Sequence, residues 1–425
     1  MTPLKLLTSI GYDMIAFNRF TLENGLRVIV HEDMTTPMAV LNILYDVGAR
    51  DEETGRTGFA HLFEHLMFGG SVNIPSYDEP LQRVGGENNA FTSNDITNYY
   101  ITLPTLNIET AFWLESDRML NLAFSEKSLE TQRNVVMEEF KQRYLNQPYG
   151  DVWLKLRPLA YKVHPYQWAT IGQDLAQIES AQMDDVKAFF KKHYHPSNAI
   201  LVVAGNIRTE EVKALADKWF GPIEAGEKVV RQLPKEPEQT EARSLHVEGK
   251  VPLNALYLAF KMPERLSESY QTIDLLSDIL SQGQSSRLYL RLLKEKQFFS
   301  EINAYLTGSI DEGLFVIEGK LSEDISFEQA EAAIWEELEK LIAVPVAEQE
   351  LTKVKNKSEA IMAFSEMNLL DKAMNLAYFE LLGDADALNT EMDRYRSITS
   401  SQLQSAAAQL FKKEKSSTLY YHAHA

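Results

Sequence analysis

The chain has 425 residues, no cysteine and a formal net charge of −19. That length exceeds what one hydrophobic core serves, so two or more domains are expected. The absence of cysteine excludes disulfides and thiolate zinc sites, the acidic balance argues against nucleic-acid binding, and no apolar run approaches the length of a membrane span.

In chain order, residues 1–16 show no secretory apolar core or small-residue cleavage site. That places the chain in the cytoplasm, or in the periplasm if a signal has already been removed. Phe17–Val30 reads as a hairpin turning at Asn24-Gly25, and Val40–Val47 as a second strand. Gly48–Gly58 is a charged loop. It feeds Phe59-Ala60-His61-Leu62-Phe63-Glu64-His65-Leu66-Met67, whose apolar residues fall at i, i+3, i+4, i+7 and i+8, a helical period. Gly69-Gly70 stops this helix.

His61 and His65, four apart, stand one turn above each other on the face opposite the apolar stripe. Two imidazoles so placed can share one Zn²⁺, and Glu64 beside them can take a proton from the attacking water. The spacing is His-x-x-Glu-His, an inverted zinc-protease motif. A chain of this composition matches it by chance roughly 0.03 times. The competing reading, a helix with two solvated histidines, is thereby disfavoured.

Ser76–Val84 reads as a helix closed by Gly85-Gly86. Asn89–Thr92 and Thr97–Leu103 form a hairpin, and helical periodicity runs with breaks from Ile108 to Tyr144. Ser125 caps one of these helices, on which Glu138 reads as solvated and Glu139 shares a flank with Gln132. A helix from Ile178 leads into the apolar strand Ala199–Ala204, and Gly221–Glu241, rich in proline and charge, reads as a linker.

Ile178-Glu179-Ser180-Ala181-Gln182 then recurs as Ile398-Thr399-Ser400-Ser401-Gln402, and Phe190-Lys191-Lys192 as Phe411-Lys412-Lys413, each before a strand. We read an internal duplication: residues 1–220 as a zinc-binding α+β domain and 242–425 as a second, scaffold domain. In the second copy Asp274-Leu275-Leu276-Ser277-Asp278 occupies the place of the motif, without its ligands. His193 and His195 read as a helix end, and His422 and His424 as terminal histidines.

These stretches resemble the pitrilysin-type inverzincin peptidases. The likeness rests on His61-Leu62-Phe63-Glu64-His65, Gly85-Gly86-x-x-Asn89-Ala90-Phe91-Thr92, Thr97-x-Tyr99 and Arg133-Asn134-Val135-Val136-Met137-Glu138-Glu139. The resemblance implies α+β architecture: two homologous units, each a mixed, mostly antiparallel sheet backed by helices, forming half of a clamshell. It implies a metallopeptidase with one Zn²⁺ per chain, held by His61, His65 and Glu139, and with Glu64 as general base. Peptide would add as a strand along Asn89, Ala90 and Phe91.

Two departures stand out. Gln132 occupies a position where many relatives carry a glutamate that supports the site. Leu293 and Ser300 fall where relatives present an Arg–Tyr pair that grips substrate. That loss implies a homo- or heterodimer in which a second chain of the same family supplies the pair. The alternative is a non-catalytic scaffold subunit of the same fold.

Overall fold

The computed structural model describes residues 14–424. Most of the 1–16 stretch therefore lies outside the described residues. The first unit runs β1 (Asn18–Thr21), β2 (Arg27–Glu32), β3 (Met38–Tyr45), α1 (Phe59–Leu66), α2 (Asp78–Arg83), β4 (Glu87–Thr92) and β5 (Thr97–Pro104). It continues with α3 (Ile108–Leu120), α4 (Glu126–Phe140), α5 (Val152–Ala160), α6 (Leu175–Glu179), α7 (Met183–His193), β6 (Ala199–Gly205) and α8 (Thr209–Trp219). The second comprises β7 (Arg243–Gly249), β8 (Ala255–Lys261), α9 (Tyr270–Ser281), β9 (Phe299–Leu306) and β10 (Leu314–Leu321). After these come α10 (Phe327–Ala343), α11 (Glu348–Ser365), α12 (Leu369–Leu381), α13 (Glu391–Ser397), α14 (Ser400–Leu410) and β11 (Ser416–Ala423).

The duplication is visible in the strand order. The first sheet runs β1-β2-β6-β3-β5-β4 and the second β7-β11-β8-β10-β9. Without β1 the two are the same, strand for strand. In each, one parallel pair (β2 with β6, β7 with β11) sits in an otherwise antiparallel sheet. Strand β6 is buried at every residue, which explains its unbroken apolar run: a central strand covered on both faces cannot alternate. Strand β4 is an edge, and its burial alternates.

Both sheets borrow a cover from the other half of the chain. Ala373, Leu376 and Ala377 of α12 pack on Ile29, Val40, Leu44, Ile200 and Val202 of the first sheet. Val152, Leu156 and Ala160 of α5 pack on Ala255, Tyr257, Val316 and Leu419 of the second. Each fully buried aliphatic side chain adds about 1.5–3 kcal/mol, so this exchange joins the halves firmly. The 221–241 segment carries no regular element but is fastened along its length. Glu236 accepts the N–H groups of Lys162, Val163 and His164, and Gln239 donates to the Ser416 carbonyl.

His193 ends α7, and both its ring nitrogens are buried without a hydrogen-bond partner among the described residues. Burial lowers its pKa from 6.5 to about 4. The unfolded chain therefore binds a proton at higher pH than the folded chain does. Stability is complete above pH 6.5 and falls as the pH drops from there to about 4, by on the order of 3 kcal/mol. Urea unfolding at pH 7 and pH 4.5 checks this: His193→Leu should lose less stability between the two than the wild type does.

Candidate metal centre

Helix α1 packs Phe59, Leu62, Phe63 and Leu66 into the first core and leaves His61 and His65 on its other side. Their rings stand 4.8 Å apart, edge to face. Helix α4 is capped by Ser125, whose hydroxyl accepts the Ser128 N–H. Its Leu129, Val136 and Phe140 are buried, which turns Glu139 toward α1. The chain then leaves helical register in a wider π turn, Lys141–Leu145, so Tyr144 lies beyond the helix proper.

Nε2 of His61 and Nε2 of His65 lie 3.7 and 3.5 Å from Oε2 of Glu139. His61, His65 and Glu139 are the group of metal-directed side chains that converges among the described residues, one atom from each within 4.8 Å of the others. Tetrahedral zinc with ligands at 2.0–2.1 Å needs donors about 3.3 Å apart, and the two histidine–glutamate distances lie within a few tenths of an ångström of that. Burial lowers the His61 pKa to about 4, which keeps its imidazole neutral and its lone pair free at physiological pH. A hydrogen bond from His65, reinforced by the nearby His61 and Arg143, holds Glu139 below the usual carboxylate range. Arg143 binds Oε1 at 2.9 Å and leaves Oε2 to face the imidazoles.

Glu64 is on the same helix. Its Oε2 accepts a hydrogen bond from the Thr92 hydroxyl at the end of β4. Burial raises its pKa above the ordinary value, with the Thr92 bond and His65 opposing. The geometry thus brings together His61, Glu64, His65 and Glu139, and sets β4 beside them. Asn89, Ala90 and Phe91 lie on that edge strand, with Phe91 exposed. The Ala90 N–H bonds the Asn89 side chain at 2.8 Å rather than another strand.

Gln132 lies on α4, seven residues before Glu139, and is half-buried. Leu293 packs against the second core, and the Ser300 hydroxyl bonds the Lys320 carbonyl. In the second unit α9 takes the place of α1, and its Asp274 accepts the Tyr395 hydroxyl.

The sequence reading missed Thr92, Arg143 and Glu52. Arg143 had a local signal, four residues after Glu139 on one helical face. A cavity of about 830 Å³ beside the 233–239 segment contains none of the metal-directed residues.

Known proteins resemble this chain along most of its length. The family model described as Insulinase (Peptidase family M16) matches residues 27–167, and Peptidase M16 inactive domain matches 180–358. Zinc protease PqqE of Helicobacter pylori is 30% identical over 407 residues, covering 94% of this chain and 91% of the relative. The zinc protease YmxG of Bacillus subtilis, itself uncharacterized, is 26% identical over 399 residues, 93% of this chain and 96% of the relative. The crystal structure of a protease from Helicobacter pylori superposes with a TM-score of 0.91 at 30% identity, over 96% of this chain and all (100%) of that one. The periplasmic protease PqqL from Escherichia coli shares the fold at TM-score 0.80 and 20% identity, and this chain spans 48% of it.

Proposed function

The chain belongs to the peptidase M16 family, the pitrilysin-type zinc proteases, and from that premise we propose that it is a zinc-dependent endopeptidase acting on peptides or unfolded segments. The observation that carries the reading is the meeting of His61, His65 and Glu139 beside a buried Glu64. These three residues hold one Zn²⁺ per chain. When bound, the ion supplies Lewis acidity, which brings a water proton within reach of a carboxylate base and polarises a carbonyl. Glu64 takes that proton and later returns it to the leaving amine. Its raised pKa suits both halves of the exchange, and Thr92 fixes one of its oxygens while the other accepts.

The substrate adds along β4. Its carbonyl replaces the Asn89 side chain on the outward Ala90 N–H, so recognition is through backbone with little sequence demand. In this reading residues 1–220 are the zinc-binding unit, 221–241 the connection and 242–425 the scaffold. A second M16-type chain closes the chamber, and because Leu293 and Ser300 supply no Arg–Tyr pair, it is a different chain that carries one.

Metal analysis of the purified chain with a quenched-peptide assay tests this. We expect one zinc per chain and hydrolysis abolished by a chelator, weak alone and restored by a zinc-less chain of the family. Full activity from the single chain would replace the heterodimer by a homodimer. A chain that takes up no zinc, or cleaves peptide regardless of chelator, would overturn the reading.

A further inference from the structure

Helix α1 begins without a capping side chain of its own. Its N-cap is Gly58, at φ +87°, where a Cβ would lie 2.7 Å from the Ile171 carbonyl oxygen. No serine, threonine or aspartate fits there to bond the first-turn amides. The carboxyl group of Glu52 does so from outside the helix. Its Oε2 accepts the Gly58 N–H at 3.0 Å and its Oε1 the Ala60 N–H at 2.8 Å. Ala60 is the residue before His61, so the bonded turn is the one that carries the first imidazole. Glu52 is only 8% exposed. Burial pushes its carboxyl up to about 8, against the pull of the amides.

The segment bearing Glu52 is itself fastened from three directions. Arg50, 6% exposed, pairs with Asp95 at 3.1 Å and with Asp311 at 3.3 Å. Asp311 belongs to the second unit, in the loop between β9 and β10. The same loop donates the Ile310 N–H to Asp95 and the Asp311 N–H to the Tyr166 hydroxyl. Arg231, from the connection between units, reaches Asp46 at 2.7 Å and Asp51 at 2.6 Å. The Trp168 indole holds the Ala49 carbonyl at 2.8 Å. One short helical turn, Ala49–Asp51, therefore links the seat of the second unit to the cap of α1.

We propose that Glu52 is a positioning residue for the His61–Glu64–His65 face, and that Arg50 makes its position depend on the seating of the Asp311 loop. Sites of this kind tolerate displacements of about 0.5 Å. A two-turn helix whose first amides are freed moves His61 relative to Glu139, which sits on a different helix. The second unit then contributes to the metal site without supplying a ligand. The zinc and turnover parts of this proposal rest on the peptidase reading; the exchange part does not.

The test compares Glu52→Ala, Glu52→Gln and Asp311→Asn in the full chain. Zinc affinity is read by competition with a chromophoric chelator, α1 by amide hydrogen exchange, and kcat and KM separately. Glu52→Ala should weaken zinc binding about tenfold, speed exchange at residues 59–62 and lower kcat with KM little changed. Glu52→Gln keeps one acceptor oxygen and should recover most of the loss. Asp311→Asn, outside the first unit, should loosen zinc roughly threefold. Should Glu52→Ala fail to fold, the other two variants decide. Variants that melt lower yet bind zinc like the wild type, with α1 equally protected, would reduce Glu52 to a structural role and overturn the proposal. A wild type that holds zinc but cleaves no peptide would fail the peptidase reading alone, and the affinity and exchange comparisons would still decide this one.

Discussion

Glu64→Gln is expected to lower kcat by about 10²–10⁴-fold while leaving zinc content, KM and folding unchanged. The substitution is nearly isosteric, and the amide oxygen still accepts the hydrogen bond that Thr92 gives Glu64. Only proton acceptance is lost. Burial raises the Glu64 pKa, which makes the carboxylate a stronger base than an exposed glutamate. An amide has no such capacity at any working pH. The loss corresponds to about 3–5 kcal/mol of transition-state stabilisation, close to what one positioned base contributes. Zinc content by metal analysis and steady-state kinetics on a quenched peptide read the two effects separately. Wild-type turnover by the glutamine variant would remove Glu64 from the role of base, whatever the metal does.

Glu64 and the two histidines beside it were legible because their helix announces itself locally. The period of Phe59, Leu62, Phe63 and Leu66 sets the buried side of α1, and so decides where His61 and His65 point. Asn89–Thr92 reads as a strand, and the strand that forms, Glu87–Thr92, is the sheet edge. The duplicated sequence blocks precede β6 and β11, which hold equivalent places in the two sheets.

Other features left no local trace. The exchange of α5 and α12 between halves joins residues far apart in the chain, and an amphipathic helix does not declare which sheet it covers. Residues 48–58 read as a charged loop because Arg50, Asp51 and Glu52 look solvated by composition. Arg50 and Asp51 are instead held by Asp95, Asp311 and Arg231, which arrive from distant parts of the chain, and Glu52 is buried against the first amides of α1. Charges of this sort become visible only when the partners that compensate them are in place.

The same logic gives the largest expected effect on stability, at Arg118. Glu115 is fully buried and Arg118 is 2% exposed, both on α3. Nε and one terminal nitrogen of the guanidinium donate to the two Glu115 oxygens at 2.8 and 2.6 Å, and the Tyr77 hydroxyl donates to the same carboxylate. The guanidinium also lies 4.3 Å from the Tyr99 ring centre and 5.5 Å from that of Phe68, the residue two beyond the end of α1. Arg118→Met is therefore expected to cost about 3–5 kcal/mol, because it strands a carboxylate in the core rather than because it removes an attraction. That is a third or more of the stability of a typical domain. Adding Glu115→Gln removes the stranded charge while keeping an acceptor for Tyr77, so the double variant should be more stable than Arg118→Met alone. Urea midpoints of the wild type, both singles and the double measure this coupling. If Arg118→Met costs less than about 1 kcal/mol, or the second substitution only adds to the damage, the pair is not what holds the aromatic layer beneath the metal helix.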